Sequence, residues 1–124
     1  MSRVRSKNTQ PEMTIRRIAY ALGYRYRLHG AHLPGTPDLV FSTRRKVVFV
    51  HGCFWHQHRC PLGRVPKSRL NFWLPKFQAN QRRDRINARR LRQLGWHVLV
   101  VWECQLSSTD KVRVRLIKFL GPSK

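Results

Sequence analysis

The sequence predicts an α/β fold, a mixed central sheet flanked by helices, and three observations carry that prediction. Residues 47–50 and 96–102 are short apolar runs, rich in β-branched side chains, with the length of strands rather than helices. The stretches 12–22, 70–94 and 108–120 instead place apolar residues at helical spacing. The 124 residues suffice for one domain, spanning 1–124, with a modest core.

Residues 1–8 are polar and basic and read either as an arm lying on a polyanion or as a disordered terminus. Thr9-Gln10-Pro11-Glu12 has the spacing of a capping box, with proline in the first turn where a missing N–H costs little. Ile15, Ile18, Ala19 and Leu22 then recur at i, i+3, i+4 and i+7, and Gly23 stops the helix. Glu12 is either the reciprocal capping residue or an auxiliary acid of an active site. The helix pattern does not decide between them.

Residues 24–28 alternate apolar side chains with arginine and read as a strand, and 29–37 form a loop rich in glycine and proline. Strands at 38–41 and 47–51, joined by a polar turn, form an antiparallel hairpin. Its geometry sets Asp38, at the start of one strand, beside His51 at the end of the other. A basic loop with two prolines covers 61–69. In the helix 70–94, Pro75 allows a break or a fresh start near the beginning. Phe77, Asn80, Asp84, Asn87, Leu91 and Leu94 share one face, whose polar half suits the border of a site. The opposite face carries Arg82, Arg85, Arg89 and Arg92, suited to solvent or phosphates. Gly95 ends the helix, and 96–102 reads as a second buried strand running into Glu103-Cys104. The last helix buries Val112, Leu116, Phe119 and Leu120.

Lysine and arginine outnumber the acids by 26 to 5, for a net charge of +21. Self-repulsion of that size calls for a polyanionic partner, with nucleic acid in the lead. Charge alone fits a non-enzymatic binder equally well. No stretch has the length of a membrane span or the pattern of a signal peptide, so a soluble, cytoplasmic protein is expected. Three cysteines, an odd number, fit metal-binding thiolates better than disulfides.

The chemistry concentrates in residues 51–60, which hold His51, Cys53, His56, His58 and Cys60. Cys53, His58 and Cys60, joined by Cys104 from the far strand, are four sulfur and nitrogen donors with no vacancy, the composition of a structural zinc site. The alternative is three unconnected buried thiols. His51 and His56 are not needed by zinc. With Asp38, and Glu12 if it reaches, they compose a phosphodiester-cleaving centre. Mg²⁺ prefers oxygen ligands, so the Asp38 carboxylate and the main-chain carbonyl of Val50 are its candidates. Imidazoles titrate near neutrality and can move the protons, although either histidine taken singly could be a satisfied core residue. Phe54 and Trp55, between the donors, are suited to wedge between base steps. Trp73 is either a third wedge or core. His29, His32 and His97 lack comparable context and read as structural.

The motifs together resemble one family closely, the very-short-patch repair (Vsr) endonucleases. They are Lys7-Asn8-Thr9-x-Pro11-Glu12, Leu33-Pro34-Gly35-x-Pro37-Asp38, and His51-Gly52-Cys53-Phe54-Trp55-His56-x-His58-x-Cys60. Phe72-Trp73, Lys76, Asn80-x-x-Arg83-Asp84, Leu94-Gly95-Trp96 and Val101-Trp102-Glu103-Cys104 follow in family order. The resemblance implies a restriction-endonuclease-like fold of the PD-(D/E)xK class, carrying a structural zinc. In that class an acid-x-lysine triplet follows on the second hairpin strand. Phe49-Val50-His51 stands there instead, as histidines do in this family.

Carried over, the likeness implies Asp38 as the principal Mg²⁺ ligand, His51 and His56 as catalytic imidazoles, and Glu12 as an auxiliary acid. Cys53, His58, Cys60 and Cys104 would hold zinc. Phe54, Trp55 and Trp73 would intercalate beside a T:G mismatch in double-stranded DNA, with Lys76, Asn80 and Arg83 on the DNA. Asp84 would orient a histidine. Val50 replaces a family threonine, which is harmless if only the carbonyl binds metal. The chain also starts later than family members usually do, so weaker DNA clamping is expected. A monomer, with mismatch-repair accessory proteins as possible partners, completes the reading. Two rivals stand beside it: a restriction-type or mobile-element nuclease of the same fold, and a catalytically dead zinc-stabilised DNA-binding module.

Overall fold

The computed structural model describes residues 9–53 and 68–122. Through them run α1 (Gln10–Ala21), β1 (Arg27–Leu28), β2 (Leu39–Phe41), β3 (Lys46–His51), α2 (Leu70–Gln93), β4 (His97–Trp102) and α3 (Thr109–Leu120). The strands form one sheet in the order β1-β2-β3-β4. The first two pairings are antiparallel and the last, β3 with β4, is parallel, so the sheet is mixed as expected. No helix among the described residues is long and apolar enough to cross a membrane.

Alternation along the strands divides the core between two faces. Leu39, Phe41, Val48 and Val101 point to the side where Ile15, Ile18 and Ala19 of α1 meet Val112, Leu116 and Leu120 of α3. Val40, Val47 and Phe49 point to the other side, against Leu33 and Leu91 of α2. The result is three layers, with α1 and α3 on one face and α2 on the other.

α1 begins where the sequence placed it. The Thr9 hydroxyl accepts the Glu12 N–H at 3.4 Å, and Pro11 lies in the first turn. It ends with the Tyr24 N–H on the Ala19 carbonyl (3.1 Å) and the Gly23 N–H on that of Tyr20 (3.0 Å), the paired bonds of a Schellman end. This end consumes Tyr24, which is why the strand expected over 24–28 shrinks to Arg27–Leu28. α2 runs unbroken through Pro75. It closes in the same way, with Gly95 on Arg92 and Trp96 on Leu91, each at 3.0 Å.

Two expectations need correction here. Leu94 occupies the cap of α2, where the backbone leaves the helix, and is 55% exposed rather than packed. The strand expected to be buried over 96–102 is β4, which lies at an edge of the sheet among the described residues. Only Val101 in it is fully buried.

Candidate active site

The start of β2 and the end of β3 come together at one end of the sheet. The Asp38 carboxylate accepts the main-chain N–H of Val50 at 2.7 Å, and the Asp38 N–H donates to the Val48 carbonyl at 3.1 Å. The residue after Val50 is His51, so the expected hairpin brings the acid to the strand segment that carries the imidazole. Burial pushes the Asp38 carboxyl up to about 6. The Val50 N–H pulls it down, the charge of Glu12 raises it again, and His29 and Arg16 offset part of that.

Glu12 therefore does reach this end of the molecule. It is 1% exposed, and its Oε2 accepts from Arg16 Nη2 one turn along α1 and lies 2.6 Å from His29 Nε2. That separation is within hydrogen-bond reach for the ring nitrogen and the acid. The main-chain N–H of His29 donates to the Asp38 carbonyl at 3.1 Å. His29, expected to be merely structural, thus belongs to the site. The signal was the pairing of β1 with β2: Leu28 faces Leu39, and the next step along sets His29 opposite Asp38. His32 and His97 are exposed.

His51 is buried on the α2 face of β3, its ring 5.6 Å from that of Phe49 and 5.1 Å, edge-on, from that of Trp102. Its Nδ1 lies 4.0 Å from Asp84 Oδ2 on α2. The polar half of the α2 face is therefore accounted for. Asp84 faces His51, and Asn87 packs where Gly35 leaves room. A Cβ at Gly35 would stand 3.0 Å from Asn87 Cβ and 3.1 Å from Phe49 Cζ, at a φ of +78° that already favours glycine.

Cys53 is buried, its N–H 3.3 Å from Glu103 Oε1, and its Sγ accepts the Cys104 N–H at 3.4 Å. The two cysteines expected to share zinc are therefore neighbours. Phe54, Trp55, His56, His58 and Cys60, like the arm 1–8, lie outside the described residues. Among the described residues no three histidine, cysteine, aspartate or glutamate side chains gather as a metal-holding group. Mg²⁺ does not require one, because it is commonly bound by one or two carboxylates together with waters and substrate phosphate. Asp38 and Glu12, two oxygen donors near enough to repel, suit such a cation.

Trp73 is half-buried and stacks on the buried Phe77 at a 5.9 Å centroid separation and 14° between planes. Its neighbour Phe72 is 42% exposed, with Arg69 and Lys76 over its ring at 4.6 and 4.8 Å. Arg83 donates to Asn80 Oδ1 at 3.0 Å, and Arg82, Arg85, Arg89 and Arg92 are exposed as expected.

The sequence model of the family described as "DNA mismatch endonuclease Vsr" matches residues 1–62. The chain is 53% identical over 123 residues to the "Type II nicking enzyme V.XorIIP" of Xanthomonas oryzae pv. oryzae, covering 99% of this chain and 90% of that protein. It is 43% identical over 112 residues to the "DNA mismatch endonuclease Vsr" of Escherichia coli K12, covering 90% and 72%. The catalytic domain of the homing endonuclease I-Bth0305I shares the fold, with a TM-score of 0.60 at 19% identity over 90% of this chain and 94% of that one.

Proposed function

This chain belongs to the Vsr endonuclease family, and on that premise we propose that it nicks double-stranded DNA 5′ of the thymine in T:G mismatches. Such mismatches arise from deamination of 5-methylcytosine, and the nick would initiate very-short-patch repair. The observation that carries the catalytic part is the Asp38 carboxylate held on the Val50 N–H, with Glu12 close enough to act on its charge.

Asp38 is the principal ligand for Mg²⁺ in this reading, Glu12 the auxiliary one, and the Val50 carbonyl a third oxygen. In a strand the N–H and C=O of one residue face the same side, so that carbonyl is directed to the edge where Asp38 sits. Bound there, Mg²⁺ would supply charge stabilisation at the scissile phosphate and lower the pKa of the attacking water. His51 and His56 move the protons, one taking that of the water and one giving a proton to the departing 3′ oxygen. Asp84, 4.0 Å from His51 Nδ1, is placed to orient that ring. The nick leaves a 3′-hydroxyl.

Zinc held by Cys53, His58, Cys60 and Cys104 would tie the loop that carries His56 to the end of β4. Two cysteines that are neighbours, the main-chain N–H of Cys104 on the sulfur of Cys53, fit that soft-donor set. Phe54 and Trp55 are the principal wedges for the mismatch. Trp73, stacked on Phe77, supports them from α2. The exposed arginines of α2 and Lys76 hold phosphates, a use for part of the net charge of +21.

The test uses end-labelled duplexes that differ in one T:G or T:A pair, incubated with Mg²⁺. Nicking confined to the thymine strand of the mismatched duplex is expected. Equal cutting of both duplexes would favour a nicking nuclease without mismatch selectivity. Tight binding with no cutting would leave only the inert binding module.

A further inference from the structure

His29 joins the two carboxylates of the site by different parts of the same residue. Its main-chain N–H is bound to the Asp38 carbonyl at 3.1 Å, and its Nε2 is 2.6 Å from Glu12 Oε2. Its φ of 49° lies in the left-handed region, which a side chain bearing a Cβ rarely adopts. Arg16 Nη2 reaches the same oxygen of Glu12 and lies 3.4 Å from His29 Nε2. An α1 carboxylate whose only task was to pack could be replaced by an apolar side chain at no loss. Here a buried carboxylate is instead given two nitrogen partners at the sheet end where Asp38 stands.

We propose that His29 is a positioning residue: with Arg16 it fixes the Glu12 carboxylate beside Asp38, so that both acids face one divalent cation. This rests on the reading of Asp38 as a metal ligand. In this role His29 is not itself a ligand of the cation. It acts through Glu12, setting where that carboxylate stands before metal arrives, so that less ordering is left for the binding step.

The experiment titrates Mn²⁺ into the full-length protein on uncut T:G duplex and follows free Mn²⁺ by electron paramagnetic resonance, beside nicking rates and metal-free DNA affinity. His29→Ala is expected to weaken Mn²⁺ binding on the order of tenfold, the scale of partners that orient metal ligands, with unchanged metal-free DNA affinity. His29→Gln, which keeps an N–H donor within reach of Glu12, should recover most of the loss. The double variant His29→Ala with Glu12→Gln should bind no more weakly than Glu12→Gln alone, because His29 works only through that carboxylate. If His29→Ala does not unfold cooperatively, His29→Gly takes its place, since glycine suits the left-handed backbone.

Parental Mn²⁺ affinity in the folded His29 variant, or losses that simply add in the double variant, would overturn the proposal. Asp38→Asn separates the two levels. If it binds Mn²⁺ as the parent does, the metal reading falls and takes the role of His29 with it. If Asp38→Asn loses metal and the His29 variant does not, the role of His29 alone is refuted.

Discussion

Asp38 and Val50 are joined by a 2.7 Å hydrogen bond in which the main-chain N–H of Val50 donates to the Asp38 carboxylate. That bond locks the acid to the strand residue that precedes His51. It also holds a carboxylate where burial opposes its charge, which makes the site costly to keep in the absence of metal.

The first prediction follows from that cost. The Asp38 carboxyl is raised from 3.8 to about 6 in the folded protein, so the folded state binds the extra proton between those values. Its stabilising contribution is therefore complete below about pH 4 and lost as pH rises through about 6. Asp38→Asn, which keeps an acceptor for Val50, should raise metal-free stability at pH 7.5 by up to about 3 kcal/mol and by almost nothing at pH 3.5. Urea unfolding at both pH values measures this. Mg²⁺ should narrow the gap at pH 7.5 by stabilising the wild type alone. No difference between the proteins at pH 7.5 would show that Asp38 is not held against its charge.

Asp84→Asn keeps the shape of the side chain facing His51 but removes its charge. The expected result is a drop in the single-turnover nicking rate of roughly 10- to 100-fold, with DNA affinity unchanged. An unaltered rate would remove Asp84 from the account.

Much of this arrangement was legible in the sequence, and the part that was not has a physical cause. Capping signals and apolar periodicity located α1, α2 and α3 within a residue or two, because those signals are local. β1 was overdrawn because a Schellman end consumed Tyr24, and alternation in the sequence cannot reveal where main-chain N–H groups go. Asp38 and the strand bearing His51 followed from a hairpin, again a local inference. Glu12 required the packing of α1 against the sheet, which no local pattern encodes, and His29 required the register of β1 on β2. The edge position of β4 was likewise a matter of sheet order.

Gly35 tests how tightly the loop leading to Asp38 is seated. Gly35→Ala would press a methyl group against Asn87 and Phe49 at a backbone angle that disfavours it. A loss of about 1–3 kcal/mol is expected in urea unfolding, together with weaker nicking, because the displaced loop carries Asp38. Parental stability would mean that the loop yields freely.

DNA affinity should fall steeply with salt, since phosphate contacts release counterions. Replacing Arg85 and Arg89, exposed on α2, by glutamine should reduce the log–log slope by about 2. Fluorescence anisotropy between low and moderate salt gives the slope directly. An unchanged slope would place the DNA on another face.

The most direct measurement compares wild type with Asp38→Asn on a single T:G duplex in Mg²⁺, reading binding and nicking from the same samples. Unchanged binding with nicking reduced roughly a hundredfold or more is the expected result. Nicking that persists at the wild-type rate in Asp38→Asn would contradict the account, because the Asp38 carboxylate would then not be needed for cleavage.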